Sequence, residues 1–328
     1  MDRIKIFTHT DLDGIGCTVL AYLAFGRDNV DVEYCDYKDV NEKVRNFYLN
    51  DKDKLYDAVY ITDISVNDQV ADAINMIYLL DGRWRLFDHH ATALDLNKYK
   101  WCDVRVADKY SGIKNSGTDL FYKYLHNRRY FTKYNYRVQS NIARFAEVVR
   151  DYDTWRWKED SDLCYDGNIC KQLNDLFHIY GIDKFIEWTL YNILELDAVP
   201  YFTEKDRALL EQKQKDIDNY VEIKSKELVT MIDNFGYSFG VVFADRYVSE
   251  LGNCLSESNP GLEYIAMIDI NRGTVSYRTV KDDIDLGGEI AHSFGGGGHR
   301  KAAGSTFNAD DIKNLVLSEV FGLKGEKL

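Results

Sequence analysis

Proline is almost absent from this chain, with two in 328 residues, so its loops do not owe their shape to rigid Pro turns. The six cysteines, at 17, 35, 102, 164, 170 and 254, form no C-x-x-C pair, which excludes thiolate zinc sites and leaves free thiols as the expectation. Basic charge is short as well: 41 Lys and Arg face 54 Asp and Glu, a formal net charge of −13. Nonspecific grip on a long polyanion requires phosphate neutralisation by cations, so any nucleic-acid ligand should be short or held locally. No apolar run is long enough to cross a bilayer, and the opening MDRIKIFTHTDLDG lacks the apolar core of a secretory leader. A cytoplasmic protein that begins at Met1 is expected, with no membrane partner.

What is present reads as α/β. Short β-rich runs at 4–8, 30–37, 58–62 and 85–87 alternate with amphipathic stretches starting near Gly14, Val40 and Asn67, the pattern of a parallel sheet covered by helices. Helices are expected at about 115–127, 138–150 and 182–195, with Ser116 or Thr118 as a candidate N-cap. A charged stretch at 203–231 reads as one long exposed helix. A second, smaller α/β pattern follows, with strands at 240–244, 264–270 and 274–280 and the glycine cluster 295–298. The division expected is 1–195, a helical connector at 196–234, and 235–328.

Acids and histidines gather where the expected strands end, the place where α/β proteins build their sites. His9, Asp11 and Asp13 follow the first strand, and alternate residues of an extended segment can converge on one ion. Asp63 follows the third strand, Asp88-His89-His90 the fourth, and Asp151 ends an apolar helix. Singly, each has an ordinary reading: Asp63 as a helix cap, His9 and His90 as satisfied or surface histidines. Together, carboxylates and imidazoles form a donor set suited to Mn²⁺ or a similar first-row ion. Two such ions could serve phosphoryl chemistry. In the second pattern, successive glycines let a phosphate approach the backbone, and Arg278 offers a planar fork, against the alternative of a bare turn with a surface arginine. Trp155 and Trp157 suit either base stacking or a core.

These motifs, HTDLDG, Asp63, LFDHH and RDYDTW in that order, resemble the DHH phosphoesterase superfamily, and GGGGHRKAAG resembles the signature of its associated C-terminal domain. The resemblance covers most of the chain. It implies a parallel-sheet DHH domain joined by a long helix to a substrate-binding domain, with the active site in the cleft between them and two divalent cations, manganese by family habit. By that likeness one ion takes His9, Asp13 and Asp63, the other Asp63, His89 and Asp151, with Asp63 bridging. Asp11 supplies a further ligand, as in the DxDxDG form of RecJ-like relatives. Asp63, His89 and His90 are the implied catalytic residues, and Arg278, Gly296, Gly297, Gly298 and His299 the implied substrate contacts. The C-terminal signature argues against a pyrophosphatase, and the lack of room for an added single-strand-binding module argues for short substrates. The form is that of nanoRNase B: an enzyme that hydrolyses short oligonucleotides and linear dinucleotides, with a homodimer left open. The alternatives are a RecJ-like single-strand DNA exonuclease, a 3′-phosphoadenosine 5′-phosphate phosphatase, and a nucleotide sensor without catalysis.

Overall fold

A computed structural model describes residues 3–159, 166 and 168–322. It divides into two compact units, one ending at Leu210 and the other beginning at Glu211, so the expected connector at 196–234 is shared between them. Among the described residues no helix is long and apolar enough to cross a membrane.

The first unit runs β1 (Ile4–Thr8), α1 (Leu12–Phe25), β2 (Val30–Tyr34), α2 (Val40–Leu49), β3 (Ala58–Thr62), α3 (Asp68–Asp81), β4 (Trp84–Asp88) and β5 (Cys102–Val104). Its strands are all parallel, in the order β2-β1-β3-β4-β5. Five helices follow: α4 (Gly117–Asn127), α5 (Tyr136–Asp153), the single turn α6 (Arg156–Glu159), α7 (Asn168–Tyr180) and α8 (Ile182–Glu195). Strand side chains alternate between two cores, as the pleat requires. Ile4, Ile6, Tyr60 and Phe87 join the core under α1, α4 and α5; Phe7, Val59, Ile61 and Leu86 join the one under α2 and α3. Both faces being covered, β1 is buried throughout, even at Lys5, whose ammonium reaches Glu33 at 2.9 Å. Helix α1 is apolar all round for the same reason, and twelve of its residues are buried.

The second unit takes over within α9 (Glu204–Lys226) and continues through β6 (Val229–Ile232), β7 (Ser238–Phe243), α10 (Val248–Ser258), β8 (Tyr264–Asp269), β9 (Thr274–Arg278), β10 (Gly297–Gly298), β11 (Ala302–Thr306) and α11 (Ala309–Phe321). Its sheet is mixed, ordered β10-β11-β9-β8-β7-β6, with only β7 and β8 parallel. Leu251 and Leu255 of α10 pack on one face against Ile265 and Met267; Leu286 and Ile290 of a six-residue π-type turn pack on the other against Tyr264 and Tyr277.

Several boundaries differ from expectation. The helix expected to reach residue 231 stops at Lys226, because Val229-Thr230-Met231-Ile232 pairs with β7 and tertiary pairing overrides the charged stretch before it. Strand β2 ends at Tyr34 rather than 37: the Cys35 amide still reaches Thr8 O, but that of Asp36 is captured by the Asp39 side chain at 2.7 Å. The sequence pattern does not mark the short β5, α6 and β10, the strand β11, or the helices α7, α10 and α11. Helix α5 exceeds its expected span at both ends, starting where the Asn135 side chain accepts from the Val138 amide at 3.0 Å. Asn135→Ala should therefore cost about 1 kcal/mol, measured as a lowered midpoint of urea unfolding, with the urea dependence itself unchanged.

Candidate metal centre

The order β2-β1-β3 reverses direction between β1 and β3, which opens a crevice beyond their C-terminal ends. Two buried threonines close the strand ends beneath it. Thr62 donates its hydroxyl to Thr8 Oγ1 at 2.9 Å, and the Thr8 hydroxyl reaches the Gly14 carbonyl at 3.0 Å. The loop from His9 to Gly14 is thus drawn back over β1. Only a glycine fits at 14, since a Cβ there would stand 2.2 Å from the His9 carbonyl oxygen.

Within that loop the residues do not remain extended, as alternation alone suggests. Asp11 is the N-cap of α1, accepting from the Gly14 amide at 3.0 Å, and Asp13 already lies in the first turn. The Asp13 carboxylate crosses instead to the start of α4, where Gly117 N and Thr118 N donate to it at 2.6 and 2.9 Å. Two amides left over at a helix N-terminus thereby fix an anion, and Ser116 caps the same helix. Asp63 follows β3 in the left-handed region, φ +57°, a costly choice for a residue with a Cβ. Its amide is held by Phe87 O, and α4 comes so close that a Cβ on Gly117 would meet the Asp63 Cβ at 2.5 Å.

Asp63 divides its oxygens. Oδ2 faces His9 Nδ1 at 3.9 Å, with Asp11 Oδ2 2.8 Å from that nitrogen; Oδ1 faces His89 Nε2 at 3.3 Å. Around His89 Nε2 also stand Asp13 Oδ2 at 3.7 Å and Asp153 Oδ2 at 3.5 Å. The structure therefore brings together His9, Asp11, Asp13, Asp63 and His89, but groups them differently from the family likeness: Asp11 stands with His9, and Asp13 with His89.

Asp151 does not join them. It is fully buried and turned to Arg150 Nη2 at 2.7 Å and Arg156 Nη1 at 3.4 Å, while Asp153 takes the place expected of it. Helical geometry explains the exchange, because residues two apart point to different sides. Phe145, Val149 and Asp153 continue one i, i+4 row, so the apolar face of α5 already pointed to Asp153.

The remaining member of the triplet braces the others. Asp88 is buried and accepts from the backbone of His89 at 2.7 Å and His90 at 3.2 Å, from His90 Nδ1 at 2.7 Å, and from the Ser65 hydroxyl. With the Nδ1 proton given to Asp88, His90 Nε2 faces the Tyr37 hydroxyl at 3.2 Å. Tyr37, beyond the end of β2, was missed because that strand end carries no histidine to mark it. Trp155 and Trp157 stack on each other with ring centres 6.1 Å apart; Trp157 packs against the core and Trp155 is half exposed.

Three ligand-type atoms here, His9 Nδ1, Asp63 Oδ2 and His89 Nε2, are buried and make no hydrogen bond of regular geometry, although carboxylate oxygens stand around the two nitrogens, Asp11 Oδ2 at 2.8 Å from His9 Nδ1 among them. Such atoms are rare because each carries a desolvation cost, and their convergence fits cation ligation. Three groups meet the size requirement, with donors within 4.8 Å of one another: His9, Asp11, Asp63; Asp13, His89, Asp153; and Asp63, Asp88, His89, His90, in the last of which Asp88 is already bonded to His90. Burial and the charges of Asp13, Asp11 and Asp153 push the Asp63 carboxyl well above the usual range, and burial with Asp13 and Asp11 does the same to Asp153. Burial lowers His89. Burial also opposes ionisation of Asp11 and His9, yet their mutual contact wins, holding Asp11 down at about 2 and raising His9.

In the second unit, Arg278 is half-buried on the face covered by α10, its guanidinium donating to Tyr277 O at 2.9 Å and Ser249 Oγ at 3.2 Å. The glycines line the opposite edge of that sheet. A Cβ on Gly296 would strike Gly304 O at 2.1 Å, and Gly298 has φ +141°, so both are required by the backbone. Gly297 differs: it is exposed, with no heavy atom within 4 Å of where a Cβ would stand. His299 is exposed in the turn that follows, its amide bonded to Ala302 O.

The sheet order and the aspartate-histidine-histidine triplet at its strand ends define an α/β protein of the DHH class. No family model matches the chain. Over 318 residues it is 36% identical to oligoribonuclease NrnB of Bacillus subtilis (strain 168), covering 96% of this chain and 75% of that protein. The chain belongs to the family of that oligoribonuclease and is a hydrolase of the phosphodiesterase class. Solved structures share the fold: the DHH domain of a member of a family of ribosomal proteins (TM-score 0.59, 15% identity, 99% of this chain, 88% of that one) and exonuclease RecJ bound to manganese (0.54, 12%, 99% and 91%).

The two aspartates of α5 should respond differently to substitution. Asp153→Asn should weaken Mn²⁺ binding at least tenfold by calorimetry with the fold intact; Asp151→Asn should leave metal affinity unchanged but cost about 1–3 kcal/mol by weakening its charged contacts to Arg150 and Arg156. The raised carboxyls make the native state hold protons that the unfolded chain releases, so their contribution to stability declines as pH rises above about 4. With chelator present, melting temperature should fall from about pH 5 to pH 8 and fall less steeply in Asp63→Asn, whose side chain tolerates the left-handed backbone. Equal slopes would remove Asp63 from the account.

Proposed function

We propose that the chain is a manganese-dependent phosphodiesterase of the cytoplasm that hydrolyses short oligonucleotides, including nanoRNA and linear dinucleotides, to mononucleotides with two divalent cations. The observation that carries this reading is the convergence of buried His9 Nδ1, Asp63 Oδ2 and His89 Nε2, none in a hydrogen bond of regular geometry, with the carboxylates of Asp11, Asp13 and Asp153 at the strand ends. The likeness to oligoribonuclease NrnB supports the substrate class, and the net charge of −13 supports brevity.

One cation is assigned to His9, Asp11 and Asp63, the other to Asp63, Asp13, His89 and Asp153. When bound, such ions supply Lewis acidity toward a phosphoryl oxygen and activation of a water at neutral pH. The protein supplies the positions. Helix α4 clamps Asp13 through two amides, so that this carboxylate does not reorient as charge moves nearby. Asp88 holds His90 by Nδ1 and leaves Nε2 for the phosphate being cleaved once Tyr37 yields it. In the second unit, Gly297 offers unobstructed backbone to a substrate phosphate, flanked by Gly296, Gly298 and His299. Burial lowers the Arg278 pKa, against the charge of Glu250, and a guanidinium keeps its charge in proteins.

The test is product analysis with a 5′-labelled RNA ladder from dinucleotide upward and a parallel set of long single-stranded DNA, each with Mn²⁺ or chelator. Manganese-dependent loss of the shortest RNAs first is expected. Preferential decay of long DNA would instead establish a RecJ-like exonuclease, and no cleavage of either would contradict catalysis.

A further inference from the structure

The acidic balance of the chain hides one reversal. Residues 120–146 contain no Asp or Glu, yet carry six cations, Lys123, Arg128, Arg129, Lys133, Arg137 and Arg144, along with His126. Most of those cations are engaged. Lys123 pairs with Asp119, Lys133 donates to Ala24 O, Arg137 to Leu194 O, and Arg144 pairs with Glu147; Arg128 lies over the Tyr124 ring at 4.8 Å. Among the described residues, no carboxylate or carbonyl is bonded to the guanidinium of Arg129. It stands at φ +64°, outside the conformation that a bulky side chain favours, at the exit of α4.

There Arg129 lines a half-open surface depression of about 330 Å³ with His126, Asn127, Thr132 and Gln139, all but Gln139 exposed, over the buried ring of Phe131. That volume lies within the roughly 300–1,000 Å³ of small-molecule sites. No acid lines it. The end of a helix would ordinarily repel an anion through its free carbonyls. Here the last turn is already satisfied: the amides of Arg128, Arg129 and Tyr130 bond to the carbonyls of Tyr124, His126 and Leu125. Five polar side chains, none of them acidic, therefore line this depression, the Arg129 guanidinium among them.

We propose that this depression is a second anion site, separate from the metal centre, which takes a phosphate monoester: the phosphate of a nucleoside monophosphate, or free phosphate. It lies at the far end of α4 from Gly117 and Thr118, eleven residues or roughly 16 Å along the helix. Its ligand does not touch the reacting groups, and the site is independent of the substrate assigned above.

The test uses the full chain in excess chelator, which silences the metal centre, and calorimetric titration with adenosine 5′-monophosphate, inorganic phosphate and adenosine. Binding of the nucleotide, with adenosine at least tenfold weaker, is expected, and Arg129→Gln should weaken the nucleotide at least tenfold. Inorganic phosphate as strong as the nucleotide would assign the site to free phosphate; weaker binding would assign it to the nucleotide. Manganese-supported hydrolysis in Arg129→Gln should equal that of the wild type, which shows the variant folded. Absence of metal-independent binding, equal binding of adenosine, or nucleotide binding indifferent to Arg129→Gln would each overturn the proposal.

Discussion

Like charge buried at one point is the constraint on which this molecule turns. Asp63 is 1% exposed and stands among Asp11, Asp13 and Asp153, with its carboxyl pushed far up by burial and by their charge. Two unit charges 4 Å apart interact by roughly 4 kcal/mol at an effective dielectric of 20. Several such repulsions would rival the whole net stability of a domain, about 5–15 kcal/mol. Surface ion pairs, at about 1 kcal/mol or less, cannot offset them. The cluster is compatible with a folded chain at neutral pH only if protons or cations neutralise it, and its buried imidazole nitrogens, in no hydrogen bond of regular geometry, favour cations.

Much of the first unit can be understood as what holds that arrangement in place. The left-handed backbone at Asp63 aims its two oxygens in different directions, toward His9 and toward His89. Gly117 lets α4 come against it, and the amides that follow from this approach hold Asp13. Asp88, which carries no assigned ligand role, fixes both neighbouring histidines through their backbone and one of them through its ring. A network so bonded around His9, Asp63 and His89 has its rigidity where ligation would need it.

Residue pattern revealed the parts that depend on local chemistry. Short β-rich runs alternating with amphipathic stretches, with acids and histidines at their ends, announced a parallel sheet and its site, and His9, Asp63 and His89 fall where strand ends place them. What escaped depends on contacts distant in sequence. Asp151 and Asp153 differ only in which side of α5 they occupy, a distinction carried by the helical row through Val149 rather than by the acids themselves. The service of Gly117 and Thr118 to Asp13 spans more than a hundred residues. Edge elements of the second sheet, such as the two-residue β10, are too short to show a period.

The most direct test of the central claim, two cations sharing Asp63, is the electron paramagnetic resonance spectrum of the protein loaded with Mn²⁺. Two ions per chain and the broad signal of an exchange-coupled pair are expected, replaced by the six-line spectrum of isolated ions in Asp63→Asn. A six-line spectrum at one ion per chain in the wild type would contradict the shared site.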